Sequence, residues 1–154
     1  MVEPIIHSGI RDNYKRGIVA DFLKSHTKDG SYLSVVSAFF TIYAYDALKV
    51  YLDRIEHMDF LFGEPRFVRA LDPDKTEKKS FILDTTGLRL ANRLQQKRVA
   101  KECADWIRDK VSIRSIRQTN LLHGKMYHIA TNGVEQAIVG SSNFTTYGLG
   151  LSRL

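Results

Sequence analysis

Residues 123–143 read HGKMYHIATNGVEQAIVGSSN. Two strand-like runs, His123 to Thr131 and Glu135 to Gly140, flank Asn132-Gly133. An Asn-Gly pair between such runs predicts a two-residue hairpin with a primed turn, whose central residues both need positive φ. Side chains two apart on a strand share a face, so His123 and Lys125 are expected side by side. The hairpin should return Gly140-Ser141-Ser142-Asn143 to the start of the first strand. An imidazole, an ammonium, a carboxamide and two hydroxyls then gather at one end of a sheet. Lys supplies a compact charge for phosphate and Asn supplies N–H donors. His can attack phosphorus or exchange a proton near neutral pH. Gly140 reads as a point where backbone approaches closely.

Upstream of the hairpin the chain alternates helix and strand signals. Tyr14, Ile18 and Phe22 recur every four residues, with Val19 and Leu23 beside them, and predict a helix over Asn13–Ser25. Asp29-Gly30 makes a turn, and the apolar run Tyr32 to Phe40 reads as a buried strand. Thr41 can cap a second helix to about Arg54, and Met58 to Phe62 is another short strand. Strand, helix, strand in that order implies a parallel βαβ unit. Asp72-Pro73-Asp74 marks an exposed loop, and Phe81 to Leu83 reads as a short strand. Gly87 to Asp109 reads as a long helix whose inner side is Leu90, Leu94, Val99, Cys103 and Ile107, followed by a strand over Val111–Ile116. The fold class expected is α/β, a mixed β-sheet flanked by helices on both faces, in one domain over residues 1–154.

Composition agrees with a globular domain. The 154 residues are 44% hydrophobic and include eight Phe and seven Tyr, enough to bury a core. No signal-peptide layout opens the chain, and no run approaches the roughly 18 apolar residues that cross a bilayer, so a cytoplasmic location without a membrane partner is expected. Cys103 is the only cysteine. It allows neither an intrachain disulfide nor a thiolate zinc site, and reads as a buried structural thiol. The net charge of +6 is uneven: Thr86 to Lys125 holds ten Lys and Arg against Glu102, Asp105 and Asp109. Arg89, Arg93, Lys97 and Lys101 recur every four residues along one helix side, and Arg108, Lys110, Arg114 and Arg117 extend the charge toward the hairpin. Such a stripe is either a solvated helix face or a track for a nucleic-acid backbone, which needs charge but no base readout.

His123-Gly124-Lys125 followed by Gly140-Ser141-Ser142-Asn143 resembles the signature of the phospholipase D superfamily: H-x-K, then an acid, then G-S-x-N. The resemblance spans about twenty residues. The run Ile138 to Thr145 is most similar to the nuclease-type branch, which includes restriction endonucleases and domains joined to DNA helicases. It implies a phospholipase D-like nuclease fold and a metal-independent phosphodiesterase acting on DNA through a phosphohistidine, with no cofactor. His123, Lys125 and Asn143 would be catalytic, and Lys125, Ser141, Ser142 and Asn143 would hold phosphate. One motif per chain implies a homodimer that pairs two histidines. Two features depart from the family. The usual acid, five residues after the lysine, is Ala130 here. A downstream Glu that would orient the histidine does not occur before Leu154, so either the chain is a piece of a larger protein, with room for a fused helicase or ATPase domain whose presence the sequence leaves open, or the orienting group differs; the first is the expectation.

The alternative is a non-catalytic nucleic-acid-binding module that keeps the fold. A phospholipid-processing enzyme is disfavoured by the single motif and the want of an amphipathic membrane helix. DNA versus RNA, strandedness and sequence preference stay open. His26-Thr27-Lys28 also fits H-x-K, but no G-S-x-N follows and it reads as a solvated helix end. His128 should lie on the strand face opposite His123, packed in the core beside Met126 and Ala130, and His7 and His57 have no partners at metal spacing.

Overall fold

A computed structural model describes residues 9–63, 93–116 and 123–152. Phe81 to Leu83, the Asp72-Pro73-Asp74 loop, Leu90, Arg89, Arg117 and His7 lie outside the described residues, as does the side chain of Arg93. The elements are α1 (Val19–His26), β1 (Tyr32–Ser37), α2 (Ile42–Leu52), β2 (His57–Phe62), α3 (Arg93–Lys110), β3 (Val111–Ser115), β4 (Lys125–Thr131) and β5 (Val134–Gly140). They form an α/β unit around a five-stranded mixed sheet of order β3-β2-β1-β4-β5. β1 runs parallel to β2, and β2 to β3, while β4 is antiparallel to both β1 and β5.

The β4–β5 hairpin closes as its turn residues require. Thr131 pairs with Val134, and Asn132 and Gly133 take φ of 50° and 79°, the double positive φ of a type I′ turn. α2 begins where Thr41 was expected to cap it: the Thr41 side chain accepts from the Ala44 amide. α1 starts six residues later than its periodicity implies. Asn13 adopts φ 58° and Gly17 φ 97°, so the chain turns instead of coiling. The Asp12 carboxylate accepts the Arg16 and Tyr14 amides, which hold its pKa below the usual value. The Asn13 Oδ1 accepts the Val19 amide at 2.9 Å, beside the start of the helix.

Leu33 and Val35 of β1, Met58 and Phe60 of β2, and Tyr127 and Ile129 of β4 align across the sheet. These side chains join Phe22 and Leu23 of α1, Leu48 and Leu52 of α2, and Cys103 and Trp106 of α3 in one core. Each such apolar side chain contributes about 1.5–3 kcal/mol on burial. Trp106 satisfies its indole by donating to the Leu52 carbonyl at 2.9 Å. The three described helices thus share one face of the sheet, and the expectation of helices on both faces is not met among the described residues. Strand order supplies the reason. β2 and β3 add to β1 in a single direction, and crossovers of one hand then place both connecting helices on the same side. The other face carries Ser34, Asp59 and His128, all half-buried. His128 is therefore no core histidine; its Nε2 lies 3.4 Å from Glu135 Oε2.

Two core expectations divide. Leu94 is 75% exposed, and Trp106 takes the inward place beside Cys103. Cys103 is buried as expected, and burial pushes its thiol up to about 12. Reactivity follows the thiolate. At pH 8 the folded protein should resist a thiol-specific reagent over hours, and denaturant should expose the thiol to rapid labelling; fast labelling of the folded chain would contradict this burial.

Candidate active site

β1 has β2 on one side and β4 on the other. The sheet changes direction of growth there, and the crevice outside the carboxyl end of such a strand is where open α/β sheets place ligands. That end holds Ser37, the last residue of β1, and Lys125, the first of β4. They stand one step beyond the Val36↔Met126 pair, at the end of the β1–β4 ladder. Both are buried: Ser37 has no exposure and Lys125 has 4%.

A buried ammonium is costly unless its hydrogens find acceptors. Lys125 Nζ donates to the His123 carbonyl at 2.9 Å. No carboxylate of the described residues lies within ion-pair distance of it. The strand begins only at Lys125, so His123 sits just ahead of β4, exposed, rather than on the same strand face. Lys125 and His123 are joined through the turned-back ammonium.

Asn143 is brought to the same end by the hairpin, since Lys125 pairs with Gly140. Its Oδ1 accepts the Ala38 amide at 3.0 Å and lies 3.2 Å from Ser37 Oγ. The neighbouring backbone is fixed from several sides. The Phe144 amide donates to Ser37 Oγ at 2.9 Å, and the Thr41 amide to the Phe144 carbonyl at 3.1 Å. The Phe144 ring stacks on Phe40 with centroids 5.1 Å apart. Tyr127 donates its hydroxyl to the Ser142 carbonyl at 2.8 Å. Burial raises the Tyr127 pKa, so the phenol stays protonated as that donor requires. Ser141 is exposed and Ser142 half-buried.

The glycine that close approach demands is not Gly140. A Cβ on Gly140 would meet nothing within 4 Å, whereas one on Gly148 would stand 2.7 Å from the Asn143 backbone nitrogen and closer still to its carbonyl oxygen. Gly148 is held in turn by Asn13, whose Nδ2 donates to the Gly148 carbonyl at 2.9 Å. Ser37, Tyr127 and Gly148 were not singled out by motif spacing. Ser37 could have been, as the one hydroxyl that shares the inward parity of Leu33 and Val35.

The basic stripe is less available than its spacing implies. Lys97 and Lys101 are exposed. Lys101 and Arg108 share Asp105 at 3.3 and 2.9 Å, and Arg114 reaches Asp59 at 3.3 Å. Lys110 donates to the Asp53 and Ile55 carbonyls, both at 2.7 Å, and so ties α3 to the α2–β2 connection. His26 ends α1 with Nδ1 2.8 Å from the Phe22 carbonyl, in keeping with a helix terminus. Among the described residues no three His, Cys, Asp or Glu side chains group as metal ligands, and no helix is long and apolar enough to cross a membrane. No protein-family model, no curated protein and no solved structure matches the chain.

Proposed function

We propose that the chain is a metal-independent phosphodiesterase of the phospholipase D-like nuclease type, acting on DNA. The observation that carries this reading is the buried Lys125 ammonium, with one carbonyl acceptor and no carboxylate partner among the described residues, beside a carboxamide anchored by its oxygen alone. Such a pair of donors suits the non-bridging oxygens of a phosphodiester, where charge develops as phosphorus is attacked. His123 attacks phosphorus, a bond from imidazole nitrogen to phosphorus forms, and the bond to the leaving oxygen breaks. A second His123, from a second copy of the chain, gives that oxygen a proton. Water then attacks the phosphohistidine, releasing phosphate-ended product and restoring both histidines. Ser141 and Ser142 add phosphate contacts.

Ala130 weighs little against this reading. It lies five residues along β4 from Lys125, which is about 17 Å and on the opposite face. An acid there would not touch the lysine directly. The alternative, a nucleic-acid-binding module without turnover, predicts binding with no cleavage. Labelled DNA incubated with the protein and a chelator decides between them: product formation supports the enzyme, and intact DNA that is nonetheless bound supports the module.

The basic helix face makes a separate prediction. Reversing charge at Arg93, Lys97 and Lys101 together should weaken DNA binding and flatten the dependence of log affinity on log salt by about 2–3 in slope, since each lost phosphate contact removes roughly one released counterion. Binding measured across a salt series checks this. An unchanged slope would return the stripe to a solvated helix face.

A further inference from the structure

We propose that Ser37 is the positioning residue of the site: together with the Ala38 amide it orients the Asn143 carboxamide so that Nδ2 faces the phosphoryl group. This rests on the phosphodiester reading above. The orientation of an Asn side chain is decided by its partners. The Ala38 N–H is a donor with no accepting capacity, so the atom 3.0 Å from it must be the carboxamide oxygen. Ser37 Oγ, 3.2 Å away, lies on the same oxygen. Nδ2 therefore occupies the opposite prong, and no acceptor among the described residues engages it.

Ser37 is suited to this by its other bonds. Its hydroxyl proton points to the Phe39 carbonyl at 2.7 Å and is shared with Asn143 Oδ1, while its oxygen accepts the Phe144 amide at 2.9 Å. One fully buried side chain thus ties the end of β1 to both the side chain of Asn143 and the backbone that follows it. Alanine at 37 would leave the Phe144 amide without its acceptor and free the carboxamide to rotate about its terminal torsion, which is broad in Asn.

The test uses the full chain and inorganic phosphate. In wild type, the Asn143 side-chain amide, assigned in a nitrogen–proton correlation spectrum by its loss in Asn143→Asp, should give one sharp pair of resonances that shifts on phosphate addition. In Ser37→Ala that pair should move toward the values of a free side chain, and phosphate affinity should fall at least tenfold. Ser37→Cys, which retains a weak donor, should fall between. Ser31 is the control: it is equally buried but bonds Thr131 at the far end of the sheet, so Ser31→Ala should leave the Asn143 pair and phosphate affinity unchanged. An Asn143 pair unmoved by Ser37→Ala or by Ser37→Cys overturns the proposal, as does an equal shift in Ser31→Ala. If wild type shows no phosphate response, the phosphodiester reading fails on its own, while the phosphate-free spectra of the same variants still decide what Ser37 does.

Discussion

His123→Ala should abolish DNA cleavage in the presence of chelator, by more than about a thousandfold, and leave DNA binding within a few-fold of wild type. The size follows from the two roles assigned to one residue type. Removing the nucleophile eliminates the covalent route, and removing its symmetry mate withdraws general acid catalysis, itself worth about 10²–10⁴. His123 is exposed ahead of β4, so its loss should cost little stability, within about 0.5 kcal/mol. Lys125→Ala should differ in this respect, because it empties a buried position. The mechanism also requires two chains, with the same patch on each subunit meeting across a two-fold axis. Wild type should therefore sediment as a dimer, and mixing His123→Ala with Lys125→Ala should not restore full activity, because each hybrid site still lacks one histidine. A monomer that cleaves DNA would sink the shared-site mechanism.

Gly148→Ala is expected to be among the most damaging single-methyl changes in the described chain. The added Cβ would press on the Asn143 backbone, 2.7 Å from its nitrogen, and backbone cannot step aside as a flexible side chain does. Overpacking of this kind costs about 1–3 kcal/mol, a fall in Tm of roughly 2–12 °C for a chain of this size. Relief requires moving either Asn143 or the Gly148 carbonyl that Asn13 binds. Activity should consequently drop more than the folded fraction does, with Asn143→Ala setting a comparable loss of about 10²–10³. Gly9→Ala, whose Cβ meets nothing within 4 Å, is the control and should change Tm by less than a degree or two. Thermal unfolding and cleavage measured on the same preparations check both parts. An unshifted Tm in Gly148→Ala would show that the 143–148 turn is looser than its contacts imply.

Local signals carried the elements that depend on nearest neighbours. Asn132-Gly133 dictated its turn because few residue pairs tolerate two positive φ values in succession. Thr41 announced α2, and the apolar runs announced β1 and β2, because capping and period-two burial are written in consecutive residues. The start of α1 was not legible. Its four-residue repeat continues back to Tyr14, yet Tyr14 is 66% exposed and the backbone at Asn13 turns left-handed. Tertiary bonds from Asn13 to Val19 and Gly148 outweigh the helix propensity there. Leu94 failed similarly. Apolar spacing placed it inward on α3, but the neighbours on that turn of the helix decide burial, and spacing does not show them.

By itself the sequence determined the alternating strand and helix elements, the hairpin, the burial of Cys103 and the grouping of Lys125 with Asn143 at one end of a strand pair. All of these follow from residue type and short spacing. Only the tertiary structure decided that β4 lies beside β1 and β3 beside β2, and with that the single-faced placement of α1, α2 and α3, the half-buried setting of His128 and the pairing of Lys110 with two distant carbonyls. It also decided the support of Asn143. Ser37 lies 106 residues away in the chain, and no periodicity links positions so far apart; they meet because β1 and β4 share an edge of backbone hydrogen bonds whose register places the end of one against the start of the other.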